Sequence, residues 1–348
     1  MTVCKFGGSS LSCAKQIKKV SEILKSDPNR TLAVVSAPGK RFKEDIKITD
    51  LLYEIYDLAS MNKVEETKVL FKIIKKRYLE ICENLDIPES NIKSFLQEIL
   101  HNILSKKSLS YCASRGEFLN AKIISTYLDW DFLESGNYLK LTAERQIHPL
   151  SWSLLNSVDF SKKYVVPGFY GTDLNNKILT FSRGGSDITG ACFSRAAKAN
   201  LYENWTDVNG VFNADPRIIK EATPIKSLTY EQMNILSRYG ANVLHPDVFK
   251  PLITNPVTIN VKNTNSPKEI GTMITLEKEN NSNYIGITNL DQSLCIVGDC
   301  IDNSKIDTLF KGNNINFKNK QIFKSYCLYE IEQTSMKQAL NLLHSSLF

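Results

Sequence analysis

The opening of the chain alternates between strand-like and helix-like patterns, and this order constrains the fold more than any other feature. Residues 3–6 form a short apolar run that breaks at Gly7-Gly8-Ser9-Ser10, and a helical pattern follows until Asp27-Pro28. Residues 31–35 are a second apolar run. A strand, a glycine turn, a helix and a strand make a βαβ unit, which implies a parallel sheet covered by helices.

The same alternation continues along the chain. Helical periodicity runs through residues 51–104 with an interruption near Pro88, and the pattern Thr229-x-x-Gln232 predicts a capping box at the start of a helix. Further strands are predicted at residues 164–166, 178–181, 201–205 and 257–261. We therefore expect an α/β fold with a mainly parallel central sheet.

The last sixty-odd residues show a different order. Around residues 278–283 the composition turns to Lys, Glu, Asn and Ser, which predicts a linker. The elements predicted after it are a strand, a helix, two strands and a helix, at residues 294–297, 306–310, 315–317, 326–331 and 336–343. This βαββα order predicts a small α+β module.

Composition excludes several classes of function. The 348 residues carry a net charge of +6 without a block of like charges, so we expect no nucleic-acid partner. No apolar run approaches the roughly 18 residues of a membrane span, and no apolar stretch follows a basic start, so we expect neither membrane insertion nor a signal peptide. The eight cysteines are scattered without a C-x-x-C pair and histidines are few, which argues against a zinc site and a disulfide scaffold and fits a cytoplasmic protein.

Four glycine-bearing segments are predicted at strand ends, where open parallel sheets bind ligands. In the first, Lys5 precedes the turn at residues 7–10, whose backbone N–H groups and following helix suit an anion. In the second, residues 181–187, a glycine pair lies between Arg183 and Asp187. Arg183 suits a carboxylate or phosphate, while Asp187 could orient a lysine or metal, cap the next helix, or do both.

The other two segments are at residues 205–217 and 114–117. A strand-end Thr206-Asp207 before a glycine turn can hold a nucleotide's ribose and base, or be an ordinary polar loop. Glu117 could receive a substrate ammonium, or be a first-turn helix residue favoured by the helix dipole. Each signal taken singly is also compatible with a purely structural role.

Taken together, the motifs resemble those of aspartate kinases in the amino-acid-kinase family, over roughly residues 2–275. The matching motifs, in family order, are KFGGSS (5–10), SAPGK (36–40) with Thr49-Asp50, SRGE (114–117), GFYG (168–171), SRGGSD (182–187), WTDVNGVF (205–212) and GANVLHP (240–246). The resemblance implies a three-layer kinase domain at residues 1–277 and an ACT-like module at 284–348. It also implies ATP, Mg²⁺ and L-aspartate as ligands.

The resemblance also assigns roles to residues. Lys5 and Asp187 match catalytic positions, Lys5 at the transferring phosphoryl group and Asp187 organising that lysine. Positions matching the amino-acid site are Ser36, Ala37, Thr49, Glu117 for the ammonium, Phe169, Arg183 for a carboxylate, and Ser186. Positions matching the nucleotide site are Lys5, Gly7, Gly8, Ser9, Thr206, Asp207, Phe212, Arg217 and Asn242. No protein metal ligand is implied.

Two departures from the family pattern affect these expectations. Asn242 replaces a family lysine near the nucleotide phosphates, and the tail has room for one ACT module where the family usually has two. We therefore expect a homodimer through the single module and little inhibition by lysine or threonine. Two other functions stay open: a family enzyme with another acceptor, such as glutamate, N-acetylglutamate or carbamate, and a non-catalytic ligand-binding homologue.

Overall fold

The computed structural model describes residues 1–277 and 283–348, which divide into two compact units, Met1–Asp207 and Val208–Phe348. The first unit contains seven strands among its described elements: β1 (Thr2–Phe6), β2 (Arg30–Val35), β3 (Asp131–Phe132), β4 (Tyr164–Pro167), β5 (Tyr170–Thr172), β6 (Ile178–Thr180) and β7 (Leu201–Thr206). Its helices are α1 (Ala14–Lys25), α2 (Ile48–Ser60), α3 (Val64–Asn84), α4 (Ser90–Leu104), α5 (Leu109–Leu128), α6 (Ser135–Tyr138), α7 (Leu150–Leu155) and α8 (Gly185–Ala196).

Five strands of the first unit form a parallel sheet in the order β3-β4-β2-β1-β7. In this register Lys5 lies opposite Val34 on one side and Asn204 on the other. Opposed residues of neighbouring strands point to the same face of a sheet. The register therefore brings the side chains of Lys5 and Asn204 together, and the predicted βαβ opening and parallel sheet are confirmed.

Helices cover both faces of this sheet, as the three-layer prediction requires. On one face, Phe6, Val35 and Trp205 join a hydrophobic cluster with the buried sides of α1 to α5. On the other face, α8 packs against β1 and β7. Lys5 belongs to the α8 side because side chains alternate along a strand and its neighbour Phe6 faces the other layer.

One predicted strand of the first unit lies outside the main sheet, and one sequence prediction was wrong. The strand at 178–181 is β6, which pairs antiparallel with β5 in a separate two-stranded sheet. Residues 114–117 do not form a strand-end turn, because they lie in the middle of α5. Gly116 supports a close approach there: a Cβ on it would lie 2.7 Å from the Cβ of Ala37. The glycine therefore serves helix packing and not a turn.

The second unit begins with β8 (Ser227–Thr229), α9 (Tyr230–Arg238), β9 (Thr258–Asn263) and β10 (Thr272–Thr275). The predicted capping box is confirmed, since the Thr229 hydroxyl accepts from the Gln232 N–H and the Gln232 side chain accepts from the Thr229 N–H. Strand β10 pairs parallel to β8 and antiparallel to β9, so the sheet is mixed in this unit.

The C-terminal module has one strand more than predicted. Its elements are β11 (Gly286–Leu290), β12 (Ser293–Val297), α10 (Asn303–Gly312), β13 (Phe317–Ile322), β14 (Tyr326–Ile331) and α11 (Gln333–Leu347). The strands form an antiparallel sheet in the order β11-β12-β14-β13. Strand β13 begins at Phe317, where the predicted strand ended. The linker predicted at 278–283 lies almost entirely outside the described residues.

All eight cysteines are free thiols, and six of them are buried. Within residues 1–277 and 283–348, no helix combines the length and the apolar character that a bilayer span requires.

Candidate active site

Lys5 and Asp187 form an ion pair at the centre of the first unit. Their Nζ and Oδ1 atoms are 2.6 Å apart, and each side chain is 12% exposed. Asn204 joins them, because its Nδ2 donates to Asp187 Oδ1 at 2.9 Å and its Oδ1 accepts from Lys5 Nζ at 3.4 Å. The Tyr202 hydroxyl donates to the backbone carbonyl of Asp187 at 3.1 Å. This network fixes the ammonium group of Lys5 at the carboxyl end of β1.

Asp187 does not cap its helix. The residue before the first turn of α8 is Gly184, whose φ of +60° lies in the left-handed region that favours glycine. Asp187 follows inside the first turn, where the helix dipole favours a carboxylate. The helix-cap role proposed from sequence was therefore wrong, and the carboxylate is directed to Lys5.

The glycine turn, residues 7–10, lies beside this lysine. A Cβ on Gly7 would be 3.7 Å from Lys5 Nζ, which places the ammonium next to the turn. Gly39 packs directly on Gly8: its N–H donates to the Gly8 carbonyl at 2.8 Å, and a Cβ on Gly39 would lie 2.6 Å from the Gly8 carbonyl carbon. Only glycine fits this approach, which joins the glycine turn to the loop after β2.

Glu117 is a buried acid with an unused oxygen. Its side chain is 5% exposed, and burial raises its pKa from 4.5 to about 8, although the backbone N–H of Ala37 donates to it and opposes this shift. Its Oε2 atom has no hydrogen-bond partner in the described part of the chain. An unpaired buried carboxyl oxygen is costly, and an ammonium group of a ligand would satisfy it.

A cleft of about 630 Å³ in the first unit brings several predicted residues together. The predicted site residues that line it are Gly8, Ser9, Ser36, Ala37, Thr49, Glu117 and Asp207. Lys40, Lys43 and Lys47 line it as well. The cleft thus combines an anion-binding turn, a buried acid and a cationic loop, which suits a ligand that carries both an ammonium and anionic groups.

Ser36 and Ser186 are in contact, and Phe169 packs against the start of the helix that carries Ser186. The Ser36 hydroxyl donates to Ser186 Oγ at 3.0 Å. Phe169 has a φ of +76°, which is strained for a residue with a side chain. A Cβ on Gly185 would lie 2.8 Å from the Phe169 Cα, so the start of α8 packs tightly against this strained residue. Arg183 is exposed in the turn that precedes α8.

The predicted nucleotide residues are divided between the two units. In the first unit, the Thr206 hydroxyl donates to Asp207 Oδ1 at 3.3 Å at the end of β7. In the second unit, Phe212 is half-buried and Asn242 is exposed. Arg217, 80% exposed, forms an ion pair with Asp215 at 2.7 Å. A nucleotide phosphate at Arg217 would have to compete with this carboxylate.

Sequence reasoning missed two residues that support the site. Asn204 contacts both Lys5 and Asp187, and its position as an asparagine within an otherwise strand-like run was an available signal. Asn120 donates to the Ser36 carbonyl at 2.7 Å. It follows Glu117 by three residues on α5, so both occupy one face of the helix.

The fold and the site define a class. A glycine turn and a fixed lysine at the carboxyl end of a parallel strand are suited to bind the phosphates of a nucleotide. A buried carboxyl group in the adjoining cleft provides a place for a cationic ligand group. These features are those expected of a phosphoryl-transfer enzyme of α/β architecture.

Comparison with known proteins identifies the family. The model of the amino acid kinase family matches residues 1–263, and the chain belongs to this family. It is therefore an ATP-dependent kinase. Aspartokinase 3 of Bacillus subtilis is 34% identical over 315 residues, covering 85% of this chain and 68% of that protein. A bifunctional aspartokinase/homoserine dehydrogenase of Buchnera aphidicola is 30% identical, and the chain spans 39% of its length.

Solved structures agree with this assignment. The aspartate kinase of Clostridium acetobutylicum has a TM-score of 0.89 and 29% sequence identity, with 100% of both chains covered. Aspartokinase III of Escherichia coli, in complex with aspartate and ADP, has a TM-score of 0.73 at 21% identity and so shares the fold. The predicted resemblance to the family and the predicted fold class are confirmed.

Proposed function

We propose that the protein is an aspartate kinase, which transfers the γ-phosphoryl group of ATP to the side-chain carboxylate of L-aspartate in amino-acid biosynthesis. The observation that carries this proposal is Glu117, a buried carboxyl with an unpaired oxygen in the same cleft as the glycine turn. A free amino acid supplies the ammonium that this oxygen lacks. The similarity to aspartokinases supports aspartate as that amino acid.

The reaction needs positioning and charge more than acid–base chemistry. The aspartate side chain is ionised at neutral pH, since its ordinary pKa is about 3.9, so the nucleophile needs no general base. The obstacle is the approach of an anion to a triphosphate. Lys5, held by Asp187 and Asn204, would place a positive charge at the transferring group. The N–H groups of Gly7 and Ser10 donate within the protein, so those of Gly8 and Ser9 would bind phosphate oxygens.

Magnesium would enter with the nucleotide. Among the described residues, no three His, Cys, Asp or Glu side chains are grouped to hold a metal ion. Mg²⁺ commonly binds through phosphate oxygens, water and only one or two protein carboxylates, so it does not require three grouped protein ligands. Asp207, exposed at the cleft, is the carboxylate we assign to this position. The ion would neutralise charge on the phosphate oxygens.

The amino acid would be held at both of its charged ends. Glu117 would accept the ammonium, Arg183 would pair with the α-carboxylate, and Thr49 with the linked Ser36–Ser186 pair would line its path. Phe212, Arg217 and Asn242 would contact the nucleotide. In this arrangement an acceptor whose amine is blocked cannot satisfy Glu117, which disfavours N-acetylglutamate.

Assembly and location form a separate part of the proposal. We propose a cytoplasmic homodimer in which the ACT-like module, residues 284–348, joins two chains. An antiparallel sheet with two helices on a shared core supports the ACT-like interpretation. Light scattering of the purified chain at micromolar concentration tests it: a dimer of twice 39.4 kDa is expected, and a monomer would contradict it.

An acceptor panel tests the catalytic proposal. ADP release would be measured with L-aspartate, L-glutamate, N-acetylglutamate and carbamate, each with Mg²⁺ and ATP. Release stimulated by aspartate alone is expected. Stimulation by another acceptor would identify a different family enzyme, and ATP binding without stimulation by any acceptor would favour the non-catalytic alternative.

A further inference from the structure

Arg77 on α3 is a charged side chain buried in the first unit. It is 5% exposed, and a buried charge is costly unless it is paired and hydrogen-bonded. Its Nη1 donates to Asp45 Oδ2 at 2.7 Å, and its Nη2 donates to the carbonyls of Ser12 at 3.0 Å and Gly39 at 2.6 Å. A single guanidinium thus joins three segments of the chain.

Each of these three segments belongs to the wall of the cleft or adjoins it. Ser12 directly follows a short 3-10 helix, Ser9–Leu11, which begins within the glycine turn. Gly39 packs on Gly8 through the contact described above. Asp45 lies in the cationic loop, residues 40–47, which lines the cleft with three lysines. Helix α3 itself contributes no residue to that lining. Arg77 therefore supports the wall of the cleft without lining it, mainly through the backbone carbonyls of Ser12 and Gly39.

Asp45 makes the connection to the cationic loop a strong one. Arg41 Nε donates to Asp45 Oδ2 at 2.9 Å, and the Arg41 backbone N–H donates to the same oxygen at 2.9 Å. Together with Arg77 these contacts hold the pKa of Asp45 well below its ordinary value, so the carboxylate stays ionised. The loop is closed on itself through Asp45, and Arg77 ties the closed loop to α3.

We propose that Arg77 is a positioning residue for both substrates, an inference that rests on the proposed kinase function. Its bonds to Ser12 and Gly39 hold the glycine turn, where the nucleotide phosphates bind. Its bond to Asp45 holds the cationic loop, which lies along the amino-acid part of the cleft. Arg77 couples the nucleotide and amino-acid parts of the cleft because its guanidinium holds both the glycine turn and the cationic loop.

Two substitutions separate these contacts. Arg77→Met keeps the aliphatic bulk and removes all three bonds, so the KM values for ATP and aspartate both rise and kcat/KM falls about 100-fold, the typical result of a misplacement of about 1 Å. Asp45→Asn releases only the cationic loop, so the KM for aspartate rises and that for ATP changes less than twofold. Arg77→Lys restores part of the activity lost in Arg77→Met.

A matched control is available in the same unit. Arg30 is also paired inside the protein, with Glu203 at 2.7 Å, but none of its hydrogen bonds reaches the cleft. Arg30→Met should lower stability and leave both KM values unchanged. If Arg77→Met behaves like Arg30→Met, with lower stability and unchanged kinetics, Arg77 is only structural and the proposal is wrong.

Chemical rescue adds a second readout. Arg77 also lines a second cavity, of about 610 Å³, through which a small cation can reach its place. In Arg77→Ala, millimolar guanidinium should restore kcat/KM several-fold while ammonium does not. Equal effects of the two ions would contradict the positioning role.

Hydrogen exchange separates this inference from the kinase proposal. The backbone amides of Gly39, Arg41 and Asp45 donate hydrogen bonds to groups of the glycine turn or of the cationic loop. In Arg77→Met they should exchange at least tenfold faster while amides of β1 and β2 keep their rates. This result requires no turnover. If the wild-type protein fails to phosphorylate aspartate, the proposed kinase function is wrong, but the exchange rates still decide whether Arg77 holds the turn and the loop. Unchanged exchange at these three amides overturns the positioning role of Arg77.

Discussion

Replacing Glu117 by glutamine should stabilise the protein and impair its binding of amino acid at the same time. Burial is the main cause that raises the pKa of this carboxyl from 4.5 to about 8. The folded protein therefore keeps a proton that the unfolded chain loses near pH 4.5. Glutamine is neutral at every pH, keeps an oxygen for the Ala37 N–H, and removes the cost of ionisation.

The magnitude follows from the shift. One pKa unit corresponds to about 1.4 kcal/mol, so ionised Glu117 costs at most about 5 kcal/mol in the folded state. Because the folded-state pKa is raised, the stability of the wild-type protein should fall as pH rises from about 4.5 to about 8 and then level off. The advantage of Glu117→Gln should grow over that window, to a few kcal/mol at pH 8.5.

Urea unfolding at pH 5, 7 and 8.5 measures this difference. Glu83→Gln, at an exposed position on α3, is the control and should show no growing advantage. A stability difference for Glu117→Gln that does not change with pH would refute the reasoning. The aspartate KM provides the functional half: it should fall in the wild type as pH approaches 8, and rise 10- to 100-fold in Glu117→Gln, which lacks a charge-assisted hydrogen bond.

The other predictions concern catalysis, nucleotide binding and control. Lys5→Ala should lower kcat by about 10²–10³ with modest changes in either KM, as measured by ADP release; near-normal turnover would remove the role of Lys5. Asn204→Leu should lower kcat less than Lys5→Ala, because Lys5 and Asp187 each lose their hydrogen bond to Asn204 but both keep their charge. Asn242→Lys should lower the KM for ATP and leave that for aspartate unchanged, whereas an unchanged KM for ATP would show that the pocket has adapted to asparagine. Lysine and threonine, alone and together, should inhibit weakly; strong sub-millimolar inhibition would show that the single ACT-like module builds an effector site.

Much of the fold could be predicted from local sequence because its signals are local. The βαβ opening and the capping box at Thr229 each depend on residues within a few positions of one another, and both are confirmed. Strands β3, β5, β8, β10 and β11 were missed. Strand β3 has two residues and β5 has three, which is too short for a detectable alternation.

Errors arose where tertiary contacts decide the structure. Ser114–Glu117 was interpreted as a turn because it contains a glycine. Gly116 in fact lies within α5, where its small size lets the helix pack closely against Ala37. Strand β6 was predicted as a strand, but its separate pairing with β5 was not, because sequence does not reveal the partner of a short apolar run. For Gly116 the deciding neighbour, Ala37, is far away along the chain.

The candidate site shows the same division. Lys5, Asp187 and Glu117 could be selected from motifs, and the structure places Lys5 and Asp187 in contact. Arg77 could not be selected, because its meaning depends on carbonyl groups 65 and 38 residues away. A buried arginine that serves backbone groups leaves no motif of its own.

Trapping the product with hydroxylamine tests the central claim most directly. A side-chain acyl phosphate reacts with hydroxylamine to give aspartyl hydroxamate, which is detected by its colour with ferric iron and confirmed by mass. With Mg²⁺, ATP and L-aspartate, the wild-type protein should form hydroxamate in proportion to the ADP released, and Lys5→Ala should form it at a rate lower by about 10²–10³. ATP binding without hydroxamate above background would contradict the assignment as an aspartate kinase.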